Sequence, residues 1–229
     1  MEQRSPRKVA RDRQVQAIKA VARRLVALHG AAELSLREVA REMNQTSSAL
    51  YRYFANRDEL LTALILDAYN ELGSVVEEEE AVVARPNRRE RWLVATRAIR
   101  RWALDHPHEY ALVYGSPVPG YHAPMETIAA ATRVARVLCN IINDFFKEHP
   151  VLIDLESEQR VGTFMEVNNL RTLMPDVPAE KLVASIDAWT QVFGFLSFEL
   201  FGHYENSVRD FDAYFDDMTS RLGTAMGIY

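Results

Sequence analysis

Apolar residues recur at intervals of three and four along almost the whole chain, which is the spacing of one face of an α-helix. The sequence contains no alternating runs of Val, Ile, Tyr and Thr that would indicate strands. The pattern therefore predicts an all-α fold.

Four helical segments are predicted near the N-terminus, and the first two have clear ends. An apolar stripe from Val15 to Val26 ends near Gly30, since glycine suits a helix C-terminus. Ser35 can then cap a short helix, because its hydroxyl can accept from the amide of Glu38 while Glu38 reaches back. This second helix ends at Asn44, a residue that tolerates the left-handed conformation.

A third helix is predicted from Ser47 to Phe54. Asn56, with Glu59 three residues on, offers another cap, and a long fourth helix then runs toward Glu77–Glu80. We interpret Glu77–Glu80 and the following residues 85–89 as a frayed helix end and a solvated connection.

Two short helices with a break of three to four residues, and a longer helix on each side, form the arrangement that places a recognition helix in the DNA major groove. Leu50 and Phe54 would anchor the inner face of this helix. Its hydroxyls and Arg52 can hydrogen-bond bases or phosphates. The outer face carries Thr46, Ser47, Ser48, Ala49, Tyr51, Arg52 and Tyr53.

Charge is distributed unevenly, although the net charge of the chain is -5. Residues 1–70 have 12 Lys and Arg against 8 Asp and Glu, whereas the remainder has 15 against 24. The asymmetry suggests a nucleic-acid-binding end and an acidic body, although solvated helices also carry such imbalances. The leading basic residues are either a DNA-contacting arm or a solvated tail: Arg4, Arg7, Lys8, Arg11 and Arg13.

Three motifs stand out in the N-terminal part: Leu36-Arg-Glu-Val-Ala-Arg-Glu-Met43, Ser48-Ala-Leu-Tyr-Arg-Tyr-Phe54 and Asn56-Arg-Asp-Glu-Leu-Leu61. Together they resemble the tetracycline-repressor (TetR) family. The resemblance is close over residues 10–66. It implies a helix-turn-helix DNA-binding domain at residues 1–66, with three helices, and a larger helical domain at residues 67–229 that binds an effector and dimerises.

The resemblance also implies roles by position. Base contacts fall on Arg37, Ser47, Ser48 and Ala49. Phosphate contacts fall on Tyr51, Tyr53 and Arg57. Ser35 and Thr46 lie at helix starts that suit a phosphate, and Arg52 could serve either purpose. A plain cap remains the alternative for Ser35, and partial burial in the core the alternative for Tyr53.

Two positions depart from the family pattern. Asn44 stands where the family has glycine, which asparagine accommodates easily. Gln45 stands where the family has an apolar residue, so it either loosens the packing of the turn or adds a polar contact to DNA.

Further helices are predicted beyond the fourth. One carries Trp92 to Trp102 and ends before Pro107, because the residue before proline disfavours helix. A loop follows at Ser116–Gly120, and then helices at Met125–Phe146 and Glu158–Leu173.

The last two predicted helices have the most regular apolar seams. They either fill the core of one chain or meet a second copy in a helical bundle. The predicted dimer interface is Leu182, Ile186, Trp189, Phe193, Leu196 and Leu200 on one helix and Phe211, Phe215, Met218 and Leu222 on the other.

The C-terminal region also resembles a TetR subclass that bears Trp, His and Gly in this region. The matching residues are Trp189-Thr-Gln-Val-Phe-Gly194, Leu196-Ser-Phe-Glu-Leu200 and Gly202-His203, with Phe193 in place of the expected histidine. Each candidate wall of an effector pocket could equally be core. These candidates are Trp92, Trp102, Tyr110, Tyr114, Phe145, Phe164, Met165, Asn168 and Trp189.

Other functions find little support in the sequence. His106, His108, Glu109 and His122 match no familiar metal-ligand spacing, and Asp105, His106 and Ser116 lack a nucleophile elbow. The single cysteine excludes an intrachain disulfide and fits a reducing compartment. No apolar stretch reaches about 18 residues. We therefore expect a cytoplasmic protein without cofactor, metal or membrane partner.

The predicted function is that of a transcriptional regulator, specifically a repressor. It would bind a palindromic double-stranded DNA operator as a homodimer and be released by an unknown small-molecule effector. The alternatives are an enzyme that uses the same fold and a ligand-binding or assembly protein that does not bind DNA.

Overall fold

The protein is described by a computed structural model over residues 5–152 and 154–228. Within these residues all regular structure is helical, which confirms the predicted fold class. A short 3-10 turn at Ala31–Glu33 accompanies the α-helices. These are α1 (Pro6–His29), α2 (Leu36–Glu42), α3 (Ser47–Leu50), α4 (Arg57–Val82), α5 (Arg88–Asp105), α6 (Pro107–Tyr114), α7 (Thr127–Ala131), α8 (Arg133–Glu148), α9 (Leu155–Gly162), α10 (Val167–Arg171), α11 (Ala179–Leu200) and α12 (Phe211–Met226).

The chain forms two compact units. The first unit consists of the residues up to Tyr69 together with His108–Ala131, and the second consists of Asn70–Pro107 and Thr132–Tyr229. The first unit thus includes a segment, His108–Ala131, that the sequence analysis assigned to the C-terminal domain.

The first unit has one apolar core, to which α1, α2, α3 and α4 all contribute. Burying each Leu, Ile or Val side chain of this core contributes roughly 1.5–3 kcal/mol. The fully buried members include Ile18, Ala22, Val39, Leu50, Leu60 and Leu61. Leu112, Val113, Val118 and Tyr121 of the later segment pack against this same core.

A charged cluster joins α1 to α4 within the first unit. The ammonium of Lys19 and the guanidinium of Arg23 lie 2.7 and 2.5 Å from carboxylate oxygens of Asp67. Lys19 is buried, so this pairing keeps a charge compensated at the edge of the core. The cluster fixes α1 against the long helix α4.

The core of the second unit is formed by α5, α8, α11 and α12. Trp92 of α5 is buried, and its indole N–H donates to the carbonyl of Thr219 on α12 at 2.8 Å. Arg91, the residue before it, is fully buried and donates to Glu80 and, at 2.8 Å, to Asp144. A buried arginine between two carboxylates stabilises only while both partners remain.

The acidic run Glu77–Glu80 lies inside α4 and is not frayed, so that interpretation was wrong. Three of its carboxylates are held by arginines of the second unit: Glu77 by Arg133, Glu79 by Arg101 and Glu80 by Arg91. The arginine side chain lowers the pKa of Glu77, chiefly through its hydrogen bond.

Three predicted helices are shorter than expected. The third ends at Leu50, because the amide of Tyr53 bonds back to the carbonyl of Leu50 in a tight turn. The helix predicted at Met125–Phe146 is divided at Thr132 into α7 and α8. That predicted at Glu158–Leu173 is divided after Gly162, where the hydroxyl of Thr163 donates to the carbonyl of Arg160 and competes with the helical backbone.

Candidate nucleic-acid interface

The turn between α2 and α3 is a Schellman motif, a standard way of ending a helix. Asn44 adopts the left-handed conformation with φ of 51°, as the sequence predicted. Its amide donates to the carbonyl of Arg41 at 3.1 Å, and the amide of Gln45 donates to the carbonyl of Ala40 at 2.9 Å. These two bonds satisfy the last carbonyls of α2 and fix the direction in which α3 begins.

Gln45 holds this turn in a way that the sequence did not predict. An apolar residue at its position would complete the usual hydrophobic contact of the motif. Instead the side chain of Gln45 accepts a hydrogen bond of 3.2 Å from the side-chain amide of Gln14 on α1. The polar departure from the family pattern is therefore compensated by a polar partner on a neighbouring helix.

Ser35 caps α2, since its hydroxyl accepts from the amide of Glu38 at 3.1 Å. Glu38 pairs with Arg41 at 3.3 Å on the outer face of the helix. Arg37, the predicted base-contacting residue of α2, is exposed in the first turn of the helix. This location leaves the guanidinium accessible to a ligand.

The predicted recognition helix, α3, buries one face and exposes the other, as expected. Leu50 and Phe54 are buried and anchor it. On the outer face Ser48, Tyr51 and Arg52 are exposed, together with Thr46 at the N-cap, while Ser47 and Ala49 are half-buried. The hydroxyls of Thr46 and Ser48 lie 3.0 Å apart and hydrogen-bond to each other. Small polar groups, Tyr51 and Arg52 thus form the surface that faces away from the core.

Tyr53 is half-buried and packs against the core of the first unit. The guanidinium carbon of Arg11 lies 5.6 Å from the centre of its ring, a cation–π distance. Tyr53 is therefore partly buried, as one of its two predicted roles required, and it also contacts a basic residue at the start of α1.

Arg57 makes contacts that the sequence analysis missed. Its guanidinium donates to three backbone carbonyls, those of Leu34 at 3.1 Å, Ala31 at 3.0 Å and Ala32 at 3.2 Å. These carbonyls belong to the connection between α1 and α2. The guanidinium predicted to bind phosphate is thus engaged in holding the first unit together, and the sequence could not reveal this because the partners lie more than 20 residues away.

The basic N-terminal residues form the start of a helix within the described part of the chain. Arg7, Lys8, Arg11 and Arg13 are exposed on the first turns of α1, which Ser5 caps by accepting from the amide of Lys8 at 3.4 Å. Arg4 lies outside the described residues. Whether these exposed side chains contact DNA or remain solvated stays a prediction.

The predicted pocket residues do not share one site. Trp92 and Trp189 line a cavity of about 210 Å³ in the second unit. Trp102 and Phe145 instead stack on histidines, with ring centres 5.2 Å from His106 and 4.6 Å from His149. Phe164 and Asn168 are exposed and Met165 is half-buried. Tyr110 and Tyr114 belong to the first unit, where burial raises the pKa of the Tyr114 hydroxyl.

The cavity has several walls that sequence reasoning missed. They include Leu138, Cys139, Ile142, Leu170, Met174 and Met226. Burial raises the pKa of the Cys139 thiol to about 11. Only the spacing of Leu138 and Ile142 on α8 could have indicated a shared helix face, and that signal does not distinguish a cavity wall from packed core.

Most residues of the predicted dimer interface lie in the core of a single chain. Leu182, Phe193, Leu196, Phe215, Met218 and Leu222 are all buried without a second copy present. The surface of α11 and α12 is formed by others. Trp189, Leu200 and Phe211 are half-buried, whereas Ile186 and two residues outside the predicted set, Phe198 and Tyr214, are exposed.

No helix among the described residues is both long and apolar enough to cross a bilayer. Within the same residues, His, Cys, Asp and Glu side chains form no group of three that could hold a metal ion.

Comparisons with known proteins agree with this geometry. Residues 18–64 match the family model for bacterial regulatory proteins of the tetR family, and residues 92–222 match the model for the tetracyclin repressor-like C-terminal domain. The chain is 34% identical over 221 residues to the HTH-type transcriptional regulator Rv1816 of Mycobacterium tuberculosis, covering 94% of this chain and 93% of the relative.

Solved structures show the same architecture. The crystal structure of SCO4313 has a TM-score of 0.78 and 30% identity, covering 95% of this chain and 98% of its own. The TetR family transcriptional regulator PfmR from Thermus thermophilus shares the fold, with a TM-score of 0.56 and 16% identity over 90% of this chain and 96% of its own. The chain belongs to the TetR family and is a helix-turn-helix DNA-binding transcriptional regulator.

Proposed function

We propose that the protein is a cytoplasmic repressor that binds a near-palindromic operator as a homodimer and is released by a small-molecule effector. Two copies of α3 would enter successive major grooves, about 34 Å apart. The observation that carries this proposal is the outer face of α3, where Ser48 and Arg52 are exposed while Leu50 fixes the helix to the core.

Sequence preference would come from Arg37 and the small residues of α3. Ser47, Ser48 and Ala49 allow close approach to base edges, and Arg37 can form a bidentate pair with guanine. Affinity for any DNA would come from Tyr51 and Arg52, with the exposed basic start of α1 beside them. We assign Arg57 to supporting this surface from within, since three backbone carbonyls occupy its guanidinium.

Dimerisation would use the exposed apolar side chains of α11 and α12. Ile186, Phe198 and Tyr214 are each about 40–50% exposed in one chain. Large apolar side chains at the surface of one helical pair are suited to packing against a two-fold copy. The buried members of the predicted seam would support this surface from behind.

Effector control would operate through the cavity of the second unit. A ligand with different affinities for the DNA-competent and the DNA-incompetent form shifts the population between them. α4 is the covalent link available for this coupling, since it begins in the first unit and ends in the second.

The test is selection of bound fragments from the sheared DNA of the source organism, with full-length protein at low and raised salt. We expect one inverted repeat to be enriched, and its affinity to fall steeply with salt as counterions are released. Arg52→Ala should weaken binding to all sequences, whereas Arg37→Ala should change the preferred sequence. Arg221→Ala is the matched control, because Arg221 is an exposed arginine of the second unit. Folded, dimeric protein that enriches no sequence with or without effector candidates would refute the proposal.

A further inference from the structure

The cavity of the second unit lies among α5, α8, α10, α11 and α12. Its walls are mainly Leu, Ile, Met, Ala and two tryptophans. Leu173 and Ile186, which line it as well, are 41% and 40% exposed. Their partial exposure shows that the cavity is not sealed within a single chain.

None of the residues that line this cavity in the described part of the chain carries a charge. An anion or cation entering it would lose its hydration and meet no counter-ion, which costs several kcal/mol or more. The composition of the walls therefore selects against acids, phosphates and amines.

The polar atoms of the walls are largely occupied as well. The hydroxyl of Ser185 donates to the carbonyl of Lys181 at 2.6 Å, and the indole N–H of Trp92 donates to the carbonyl of Thr219 at 2.8 Å. The thiol of Cys139 stays protonated near neutral pH, because burial raises its pKa to about 11. A protonated buried thiol behaves as a small apolar group. A ligand would thus find contact surface and few hydrogen-bonding partners.

The volume limits the size of the ligand. An apolar cavity of about 150 Å³ is known to stay dry and to bind benzene. The cavity here measures about 210 Å³, so it can hold a molecule somewhat larger than one ring.

From these observations we infer that the cavity binds a small, neutral, apolar molecule of roughly ten non-hydrogen atoms, such as a fused or substituted aromatic ring. This inference rests on the proposed effector control, because it names the chemical class of that effector. The aromatic faces of Trp92 and Trp189 would stack on the ligand.

The first test is calorimetric titration of the DNA-free full-length protein with two probes, indole and indole-3-carboxylate, which differ by one charged group. We expect indole to bind one site per chain, and the carboxylate to bind at least about tenfold more weakly because the cavity offers no cation. Equal binding of the two probes, or no binding of indole, would overturn the inference.

Two variants of α8 localise the binding. Ala135→Leu places extra volume in the cavity wall and should weaken indole binding at least about tenfold. Asn140→Leu adds the same side chain at a position of the same helix that does not line the cavity, and should leave the affinity unchanged. Full indole affinity in a folded Ala135→Leu protein would contradict the assigned site.

The wild-type chain provides a second readout that does not depend on a variant. Because Cys139 is the only cysteine, N-ethylmaleimide reports on the cavity wall alone. We expect saturating indole to slow its reaction, and the same concentration of indole-3-carboxylate to slow the reaction less. An unchanged rate with bound indole would overturn the inference.

The outcome is separable from that of the proposed function. Selective indole binding by a protein that enriches no DNA sequence would support the cavity inference and refute the proposed operator binding. Enrichment of an inverted repeat by a protein that shows no selectivity for indole would support the proposed operator binding and overturn the cavity inference.

Discussion

Arg57 allows the sharpest test of the reasoning, because its predicted and observed roles differ in what they do to stability. Two of its three hydrogen bonds to backbone carbonyls, those to Leu34 and Ala31, are partly buried, and the third is exposed. A fourth, exposed bond reaches the carboxylate of Asp58 at 3.3 Å. Hydrogen bonds to charged groups contribute about 1.5–3 kcal/mol each, and an exposed one much less. Allowing for water that reaches the freed carbonyls, Arg57→Ala should cost about 3 kcal/mol of unfolding free energy.

This loss is large enough to measure by urea unfolding. With a slope of about 1–3 kcal/mol per M, the transition should move by roughly 1 M or more. All three tryptophans belong to the second unit, so their fluorescence does not report directly on the first. Far-UV circular dichroism, which follows helices of both units, is therefore the required signal.

Two comparison variants complete the experiment. Arg57→Lys keeps the charge but lacks the planar fork that reaches three carbonyls, so it should recover only part of the loss. Arg52→Ala should leave stability within about 0.5 kcal/mol of wild type and weaken DNA binding. If Arg57→Ala unfolds like wild type and loses DNA affinity as Arg52→Ala does, the support role is refuted and a phosphate contact takes its place.

Three further perturbations test other contacts by urea unfolding. Asn44→Val should cost about 1–2 kcal/mol of unfolding free energy, because a β-branched residue does not accept the left-handed conformation. The control Asn44→Gly should not destabilise the protein, and a Val variant as stable as wild type would argue against the Schellman turn. Arg91→Ala should cost about 3–5 kcal/mol by leaving Glu80 and Asp144 without their buried partner, and a loss below about 1 kcal/mol, read by tryptophan fluorescence, would show that water replaces the arginine. The hydrogen bonds from Arg97, at 2.8 and 2.9 Å, lower the pKa of Asp216. Their contribution to stability is therefore present above the unfolded pKa of aspartate and is lost as the pH falls through the folded pKa. Asp216→Asn should reduce the acid dependence of stability, and an unchanged pH profile would contradict this assignment.

Local signals in the sequence were sufficient for several elements. The hydroxyl cap of Ser35, the left-handed Asn44 and the buried Leu50 each depend on neighbours within a few residues, and all three are found as predicted. The reciprocal bond expected from Glu38 is not, since the carboxylate of Glu38 pairs with Arg41 instead. Features that depend on distant partners were not predicted. The carbonyls that engage Arg57 and the glutamine that pairs with Gln45 lie elsewhere in the fold, and periodicity gives no access to such partners.

The same limit explains the errors in the second unit. An apolar seam such as that of α11 has the same sequence pattern whether it faces its own chain or a second copy. Burial assigns Leu182 and Leu196 to the core of their own chain. Aromatic residues likewise give no indication of whether they line a cavity or fill the core. Only Trp92 and Trp189 of the predicted set meet at the cavity, because its other walls come from unremarkable aliphatic positions.

The segment His108–Ala131 has a consequence for the engineering of hybrid regulators. Tyr121 of this segment hydrogen-bonds Thr62 of α4 at 2.9 Å, and Leu112 and Val118 pack against the core of the DNA-binding motif. A graft that transfers residues 1–66 alone would expose that apolar surface and leave Thr62 without this partner. The portable DNA-binding module of this protein is therefore discontinuous in sequence, and a hybrid that keeps its operator specificity must inherit both pieces from the same parent.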